Sequence, residues 1–243
     1  MRNSIEELKA ALNRGAVVAF TGAGISAESG IPTYRGAGGF WTKYDPDKYA
    51  SIDYFYQDPS YYWRFFQDTR GPLLHEAQPN PGHKALATLE AQGKLLTVIT
   101  QNIDGLHQAA GSKRVIELHG SSRSFSCMKC RQPYSLEVVE RFLETELPPR
   151  CSGCRGIIRP DIVFFGEMLP PGAIESAFDF ARRASLLIVV GSSLVVYPAA
   201  QVPSLAKDCG ARLAIINDES TPLDSYADWV IHDKAGVILP QLI

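Results

Sequence analysis

Four short apolar runs, Val17 to Phe20, Leu95 to Thr100, Leu186 to Val190 and Leu213 to Ile216, lack the alternation of a half-exposed strand. They read as strands covered on both faces. Between them the apolar spacing becomes that of helices. Lys84 to Gln92 follows a Pro81-Gly82 start signal, Gly172 to Arg183 forms a second helix, and Ala199 to Asp208 begins after Pro198. Ile5, Leu8 and Leu12 mark an amphipathic pattern near the N-terminus. Strands and helices in alternation predict an α/β fold built on a parallel sheet.

Two stretches interrupt the alternation. Gly36 to Pro72 is rich in aromatics and turn formers, and Cys127 to Cys154 carries cysteines. Both read as insertions that form a smaller domain. The expected division is 1–35, 73–122 and 157–243 for the larger unit, and 36–72 with 123–156 for the smaller.

Composition acts mainly by exclusion. A chain of 243 residues, 45% hydrophobic and 21% charged, has room for one large core and a small annex. Its 26 acidic and 24 basic side chains leave a net charge of -2, and no Lys/Arg cluster follows a phosphate backbone, which speaks against direct nucleic-acid binding. No apolar run approaches the roughly 20 residues of a membrane-spanning helix. Met1 through Glu7 lacks the layout of a signal peptide, so a cytoplasmic protein is expected.

The candidate chemistry begins where the first strand ends. Gly22-Ala23-Gly24-Ile25-Ser26-Ala27 is a G-x-G-x-x-A turn, whose missing side chains let backbone N–H groups approach a pyrophosphate. A hydride-transferring dehydrogenase would carry an acidic residue at the end of a second strand about 20 residues on. That region reads Phe40-Trp41-Thr42-Lys43-Tyr44-Asp45-Pro46, which is no strand. Asn217-Asp218-Glu219, directly after a late strand, is the better candidate for a ribose. Gln101-Asn102-Ile103-Asp104 stands at another strand's carboxyl end and suits a carboxamide ligand. His119 ends an apolar segment and is a candidate base. The pairs Cys127/Cys130 and Cys151/Cys154 form a C-x2-C-x20-C-x2-C array suited to tetrahedral zinc. Four thiolates leave no open position for substrate, so the metal is expected to be structural. Cys209 is left over, expected as a buried small hydrophobe.

Together, Gly22 to Ser26, Gly30-Ile31-Pro32-Thr33-Tyr34-Arg35, Gln101 to Asp104, Leu118-His119-Gly120 and the paired cysteines resemble the sirtuin family of NAD-dependent protein deacylases. The resemblance continues through Val163 to Glu167, Gly191-Ser192-Ser193, Asn217 to Glu219 and Lys234-Ala235-Gly236, spanning nearly the whole chain. It implies a Rossmann-like large domain, a small zinc domain, and a cleft between them where NAD, as co-substrate, meets an acyl-lysine peptide. By that resemblance Gly22, Ala23, Gly24, Ser192 and Ser193 cradle the phosphates, Asn217 and Glu219 face the adenosine ribose and Ala235 borders the adenine, with Ser26, Gly191 and Asp218 counted among the other cofactor-binding residues. Gln101, Asn102 and Asp104 hold the nicotinamide half, with Ile103 and Asp104 reaching its carboxamide, Arg35 steadies the loop over the phosphates, and Trp41 is counted among the cofactor-binding residues. Tyr34 stands where the family usually has Phe, a ring thought to shield the reactive ribose face once nicotinamide has left.

The implied mechanism has the acyl oxygen attack the ribose carbon and expel nicotinamide. His119, with Asn102 as a second catalytic candidate, then activates a ribose hydroxyl, leading to free lysine and O-acyl-ADP-ribose. Val163, Phe164, Phe165, Gly166 and Glu167, together with Ser193 to Val196 and notably Val195, are expected to pair with the peptide backbone. Gly36-Ala37-Gly38-Gly39 resembles a branch that removes succinyl or malonyl groups with a Tyr and, three residues on, an Arg. Counting from Trp63 puts Phe66 and Thr69 at those positions, which favours acetyl or longer neutral acyl groups; Arg70, one residue on, restores the cation if the alignment shifts. The alternatives are a protein ADP-ribosyltransferase, desuccinylase or demalonylase specificity, and a non-enzymatic NAD-sensing module. A monomeric catalytic core without regulatory extensions is expected.

Overall fold

In the computed structural model, which describes residues 2–36 and 38–243, each of the four predicted apolar runs is a strand. Met1, and Ala37 of the glycine-rich stretch, lie outside the described residues. The strands are β1 (Val17–Thr21), β2 (Leu95–Thr100), β7 (Leu186–Val190) and β8 (Arg212–Ile216), with β3 (Val115–Glu117) and β9 (Trp229–Ile231) as short additions. All six pair in parallel in the order β3-β2-β1-β7-β8-β9. The chain thus builds outward from β1 to β3, then returns to start again beside β1 with β7. The strand order reverses between β1 and β7, as in a Rossmann-like sheet.

Every residue of β1 and β7 is buried because helices cover both faces. Val17 and Ala19 pack with Leu8, Leu12, Leu86 and Leu89, while Val18 and Phe20 point the other way, to Ala177, Ala181, Val202 and Ala206. Those covering residues lie on helices Arg2–Leu12, Pro81–Ala91, Pro171–Arg183 and Gln201–Asp208, close to the predicted spans. Asn80 starts Pro81–Ala91 by accepting from the N–H groups of Gly82 and His83. Its amide nitrogen donates to the Ile25 carbonyl, which ties this helix to the glycine turn. Cys209 ends Gln201–Asp208 and is exposed, not buried as expected, since it follows the helix's last buried turn.

The second sheet is antiparallel, with β4 (Gly120–Cys127) between β5 (Pro133–Ser135) and β6 (Ile158–Ile162). By this pairing, residues 158–162 join the small sheet, although the sequence reading counted them with the larger unit. Phe125, Ile158, Phe164, Ile52, Phe55, Tyr62, Trp63 and Phe66 form its core, so both interrupting stretches share one apolar cluster. Helix Ser60–Phe65 runs on into a π-helical turn, Phe66–Arg70, before helix Gly71–Glu76. Pro72 has no N–H to give the carbonyl four residues back, and a one-residue widening of the helix accommodates that gap.

Candidate active site and metal centre

The strand-order reversal opens a cleft of about 650 Å³ at the carboxyl ends of β1 and β7. Gly22 N–H donates to the Val190 carbonyl and Gly24 N–H to that of Gly191, at 3.0 and 2.8 Å. A Cβ on Gly24 would stand 2.7 Å from the Gly191 Cα, and Gly191 itself has φ +61°, so this contact requires glycine on both sides. Ala23–Ser29 continues as a 3-10 helix and not an α-helix. Gly22, Ala23, Gly24, Gly191, Ser192 and Ser193 line the cleft, and Gln101 fixes the Ser192 hydroxyl by donating to it at 2.7 Å. Further along the same wall lie Asn217, Asp218, Glu219 and Ala235, with the Asn217 amide donating to the Glu219 carbonyl. Tyr34, Arg35 and Trp41 face them from the loop, and Phe40–Thr42 is a short 3-10 turn, not the second strand a dehydrogenase needs.

A smaller cavity of about 50 Å³ opens behind the cleft. Ser26 and Asp104 line it, while Ala23, Tyr34, Arg70, Asn102 and Ile103 line both spaces. The Asp104 carboxylate accepts from Ser26 Oγ at 2.7 Å and from the Leu106 N–H at 2.9 Å; Asn102 donates to Ser26 Oγ and to the Gly22 carbonyl, both at 3.1 Å. Beneath them His107 meets the Thr21 hydroxyl, and His83 packs against His107 with ring centres 4.9 Å apart.

His119 lines the main cleft between β3 and β4. Its Nδ1 lies 2.8 Å from the Gln101 carbonyl oxygen, which only accepts; Nδ1 therefore carries the proton and Nε2 holds a free lone pair. Burial lowers its pKa from the ordinary histidine value, against an opposing contribution from the Gln101 carbonyl. A neutral imidazole with a free lone pair is a competent proton acceptor. Gly120, next along, has φ +74°, and the Asp161 carbonyl fills the space a Cβ would need at 2.0 Å.

Val163, Phe164, Phe165, Gly166 and Glu167 also line the cleft. The Phe164 ring, however, is packed into the small core, so only its backbone is offered to a ligand. Glu167 is occupied as well: its carboxylate takes two hydrogen bonds from Arg159, both 2.7 Å, and one from the Phe164 N–H. Burial pushes that carboxyl up, but these donors outweigh it and hold the group below its usual range. Val195 is exposed beside the cleft and does not line it; its neighbour Val196 does.

Phe66 and Thr69 require correction. Phe66 is buried in the small core, Thr69 donates back to the Phe65 carbonyl, and neither lines either of these two cavities. Arg70, the last residue of the π-turn, lines both. Lys234, next to Ala235 in the last motif, lines the cleft as well, as do Glu28, Tyr49 and Tyr197, which stand in none of the motifs. Gly71-Pro72 was a legible signal for the π-turn, whereas Tyr49 and Tyr197 carried none.

The sulfurs of Cys127, Cys130, Cys151 and Cys154 all lie within 4.8 Å of one another. Cys127–Cys154 and Cys130–Cys151 are 3.5 and 3.6 Å apart. Four thiolates on one zinc ion at about 2.3 Å stand about 3.8 Å from each other, so the cluster fits tetrahedral zinc. Tyr134 donates to the Cys151 sulfur at 3.0 Å, a support of the kind metal ligands receive. None of the four cysteines lines either cavity, in keeping with a structural metal.

Known proteins resemble this chain over nearly its whole length. The chain is 51% identical over 227 residues to the NAD-dependent protein deacetylase of Saccharolobus solfataricus, spanning 93% of this chain and 90% of that one. It is 48% identical to NAD-dependent protein deacylase 2 of Pyrobaculum aerophilum over 93% and 89% of the two chains. A solved structure of Sir2 with a p53 peptide and NAD+ superimposes with a TM-score of 0.92 at 43% identity, covering 98% of this chain and 96% of that one. Sir2 bound to an acetylated peptide gives 0.91 at 42% identity, with 98% and 96% covered. Residues 22–198, from the glycine turn to the rim of the cleft, match the Sir2 family model, and the chain belongs to that family.

Proposed function

We propose that the chain is an NAD-dependent protein-lysine deacetylase that releases nicotinamide, O-acyl-ADP-ribose and free lysine. The observation that carries this reading is the free Nε2 of a neutral His119 facing a cleft whose far wall is the Gly22–Gly24–Gly191 contact. Bound NAD supplies a ribose carbon activated by its nicotinamide leaving group. Gly22, Ala23, Gly24, Gly191, Ser192 and Ser193 hold the phosphates, where backbone N–H groups and small side chains admit them. Asn217, Asp218 and Glu219 hold the adenosine ribose, with Ala235 at the adenine. Gln101, Asn102, Ile103 and Asp104 orient the nicotinamide half, and Tyr34, Arg35 and Trp41 cover it. His119 takes the proton of a ribose hydroxyl on Nε2. The acyl-lysine peptide lies along the backbone of 163–166 and Ser193 to Val196, by strand addition.

The reading extends to organisation. The division into 1–35, 73–122 and 157–243 against 36–72 and 123–156 is proposed with β6 as the shared seam. The enzyme is proposed to act as a monomer in the cytoplasm, without direct nucleic-acid binding, which the near-neutral charge and a thiolate metal site support. Among the described residues no helix is long and apolar enough to cross a membrane.

One observation favours a second acyl class. Among the described residues Arg70 Nη1 is buried without a hydrogen-bond partner, and Arg70 borders the cleft, as a carboxylate-ended acyl chain requires. Acetyl-lysine and succinyl-lysine peptides of one sequence, followed by mass spectrometry of both products, test the readings together. Faster acetyl removal is expected, and a clear succinyl preference overturns that choice. Label passing from NAD to protein, without deacylation, indicates ADP-ribosyl transfer instead.

A further inference from the structure

Arg70 is a buried cation without an acidic partner: among the described residues no carboxylate pairs with it. Three rings surround the guanidinium, Phe65 at 5.3 Å and Tyr34 and Tyr62 each at 5.9 Å. Burial pushes the Tyr62 hydroxyl up to about 12, so that phenol stays neutral beside the cation. Among the described residues the guanidinium makes one hydrogen bond, from Nη2 to the Tyr34 hydroxyl at 3.3 Å. Tyr34 and Arg70 both line the inner cavity and the main cleft. The Tyr34 ring also packs against Phe40 and Trp41, at 5.8 and 5.2 Å, so whatever fixes this ring also bears on the loop that carries it.

We propose that Arg70 is a positioning residue that holds Tyr34 across the boundary between these two spaces and so sets how a departed nicotinamide partitions between return and escape. The inference rests on the deacylase reading above. A ring held at the boundary separates the base in the inner cavity from the reacting centre in the cleft; a ring released from Arg70 lets the base return. The device joins distant sequence positions: Arg70 closes the π-turn Phe66–Arg70, and its guanidinium meets the phenol of a residue 36 positions earlier.

The test measures two rates on the full chain with NAD and an acetyl-lysine peptide: incorporation of labelled nicotinamide into NAD, and deacylation. Tyr34→Phe and Arg70→Met are each expected to raise the exchange-to-deacylation ratio about threefold to tenfold, the range spanned by loss of one hydrogen bond. Arg70→Lys, which keeps a donor, should fall closer to wild type, and the double variant should show no more than either single change. A ratio within about twofold of wild type in Tyr34→Phe, or a double variant equal to the product of the two singles, would overturn the inference. Tyr34→Phe removes only an oxygen, so it decides the matter even if Arg70→Met does not fold. Wild-type protein that releases no nicotinamide with any acyl peptide overturns the deacylase reading and this inference with it; an active wild type with an unchanged ratio overturns this inference alone.

Discussion

His119 carries the sharpest expectations at the scale of single residues. Removing its ring in His119→Ala takes away the proton acceptor but leaves the four cysteines untouched. Turnover should fall by about 10²–10⁴-fold while the zinc content of the same sample stays at wild-type level. Retained wild-type turnover with an acetylated peptide would end the assignment. Because burial lowers the His119 pKa, the neutral form persists below the usual value of about 6.5, and kcat/KM should stay flat from neutral pH down past that point before falling. An acid limb centred above pH 7 would contradict it. The close backbone contact of Gly24 with Gly191 was legible in the glycine turn, because glycine at a strand end admits an approach that a Cβ would block. The residue that reaches the cavities from this stretch was less legible: counting from Trp63 to Phe66 and Thr69 assumes a regular helix, whereas Phe66–Arg70 is a π-turn and Arg70 is the residue that lines both cavities.

Whole elements show a similar division. The long strands and their helices could be read directly, because burial on both faces leaves an unbroken apolar run. β3 and β9, three residues each, are too short to show any period, and they form only because a parallel edge is already there to pair with. β6 reads Ile-Arg-Pro-Asp-Ile, and its partner could not be told from sequence, since alternation sets which face is buried but not which sheet it joins. The small sheet gives the element-scale prediction. Its cysteines lie at the end of β4 and beyond, so a strong chelator, or Cys127→Ser, should loosen β4, β5 and β6 while the six-stranded sheet persists. Amide exchange should become fast in 120–162 and remain slow in β1 and β7. Unchanged protection of β4 after complete metal removal would show that zinc is dispensable for this element.

At the scale of the whole molecule, stability should depend on two histidines that catalysis does not use. Burial lowers His83 to about 4 and His107 to about 3, with His83 itself adding to the effect on His107. Both folded values lie below the ordinary 6.5 or so, so between that pH and about 4 the unfolded chain binds protons that the folded one refuses. Stability is therefore complete above pH 6.5 and falls as pH falls, by at most about 1.4 kcal/mol per pH unit for each histidine. Urea midpoints at pH 7, 6 and 5 measure this, and His107→Asn should flatten the slope. An equal slope in that variant would remove His107 from the account.

The Arg159–Glu167 pair has a further consequence. Arg159 belongs to β6, β6 pairs with β4, and β4 ends at a metal ligand, while Glu167 anchors the rim on which a peptide would dock. The small sheet therefore links metal and rim mechanically. Loss of the metal ligands at the end of β4 is expected to slacken β6 and, through the Arg159–Glu167 pair, the backbone of 163–167 that lines the cleft, so metal content and peptide affinity should fall together.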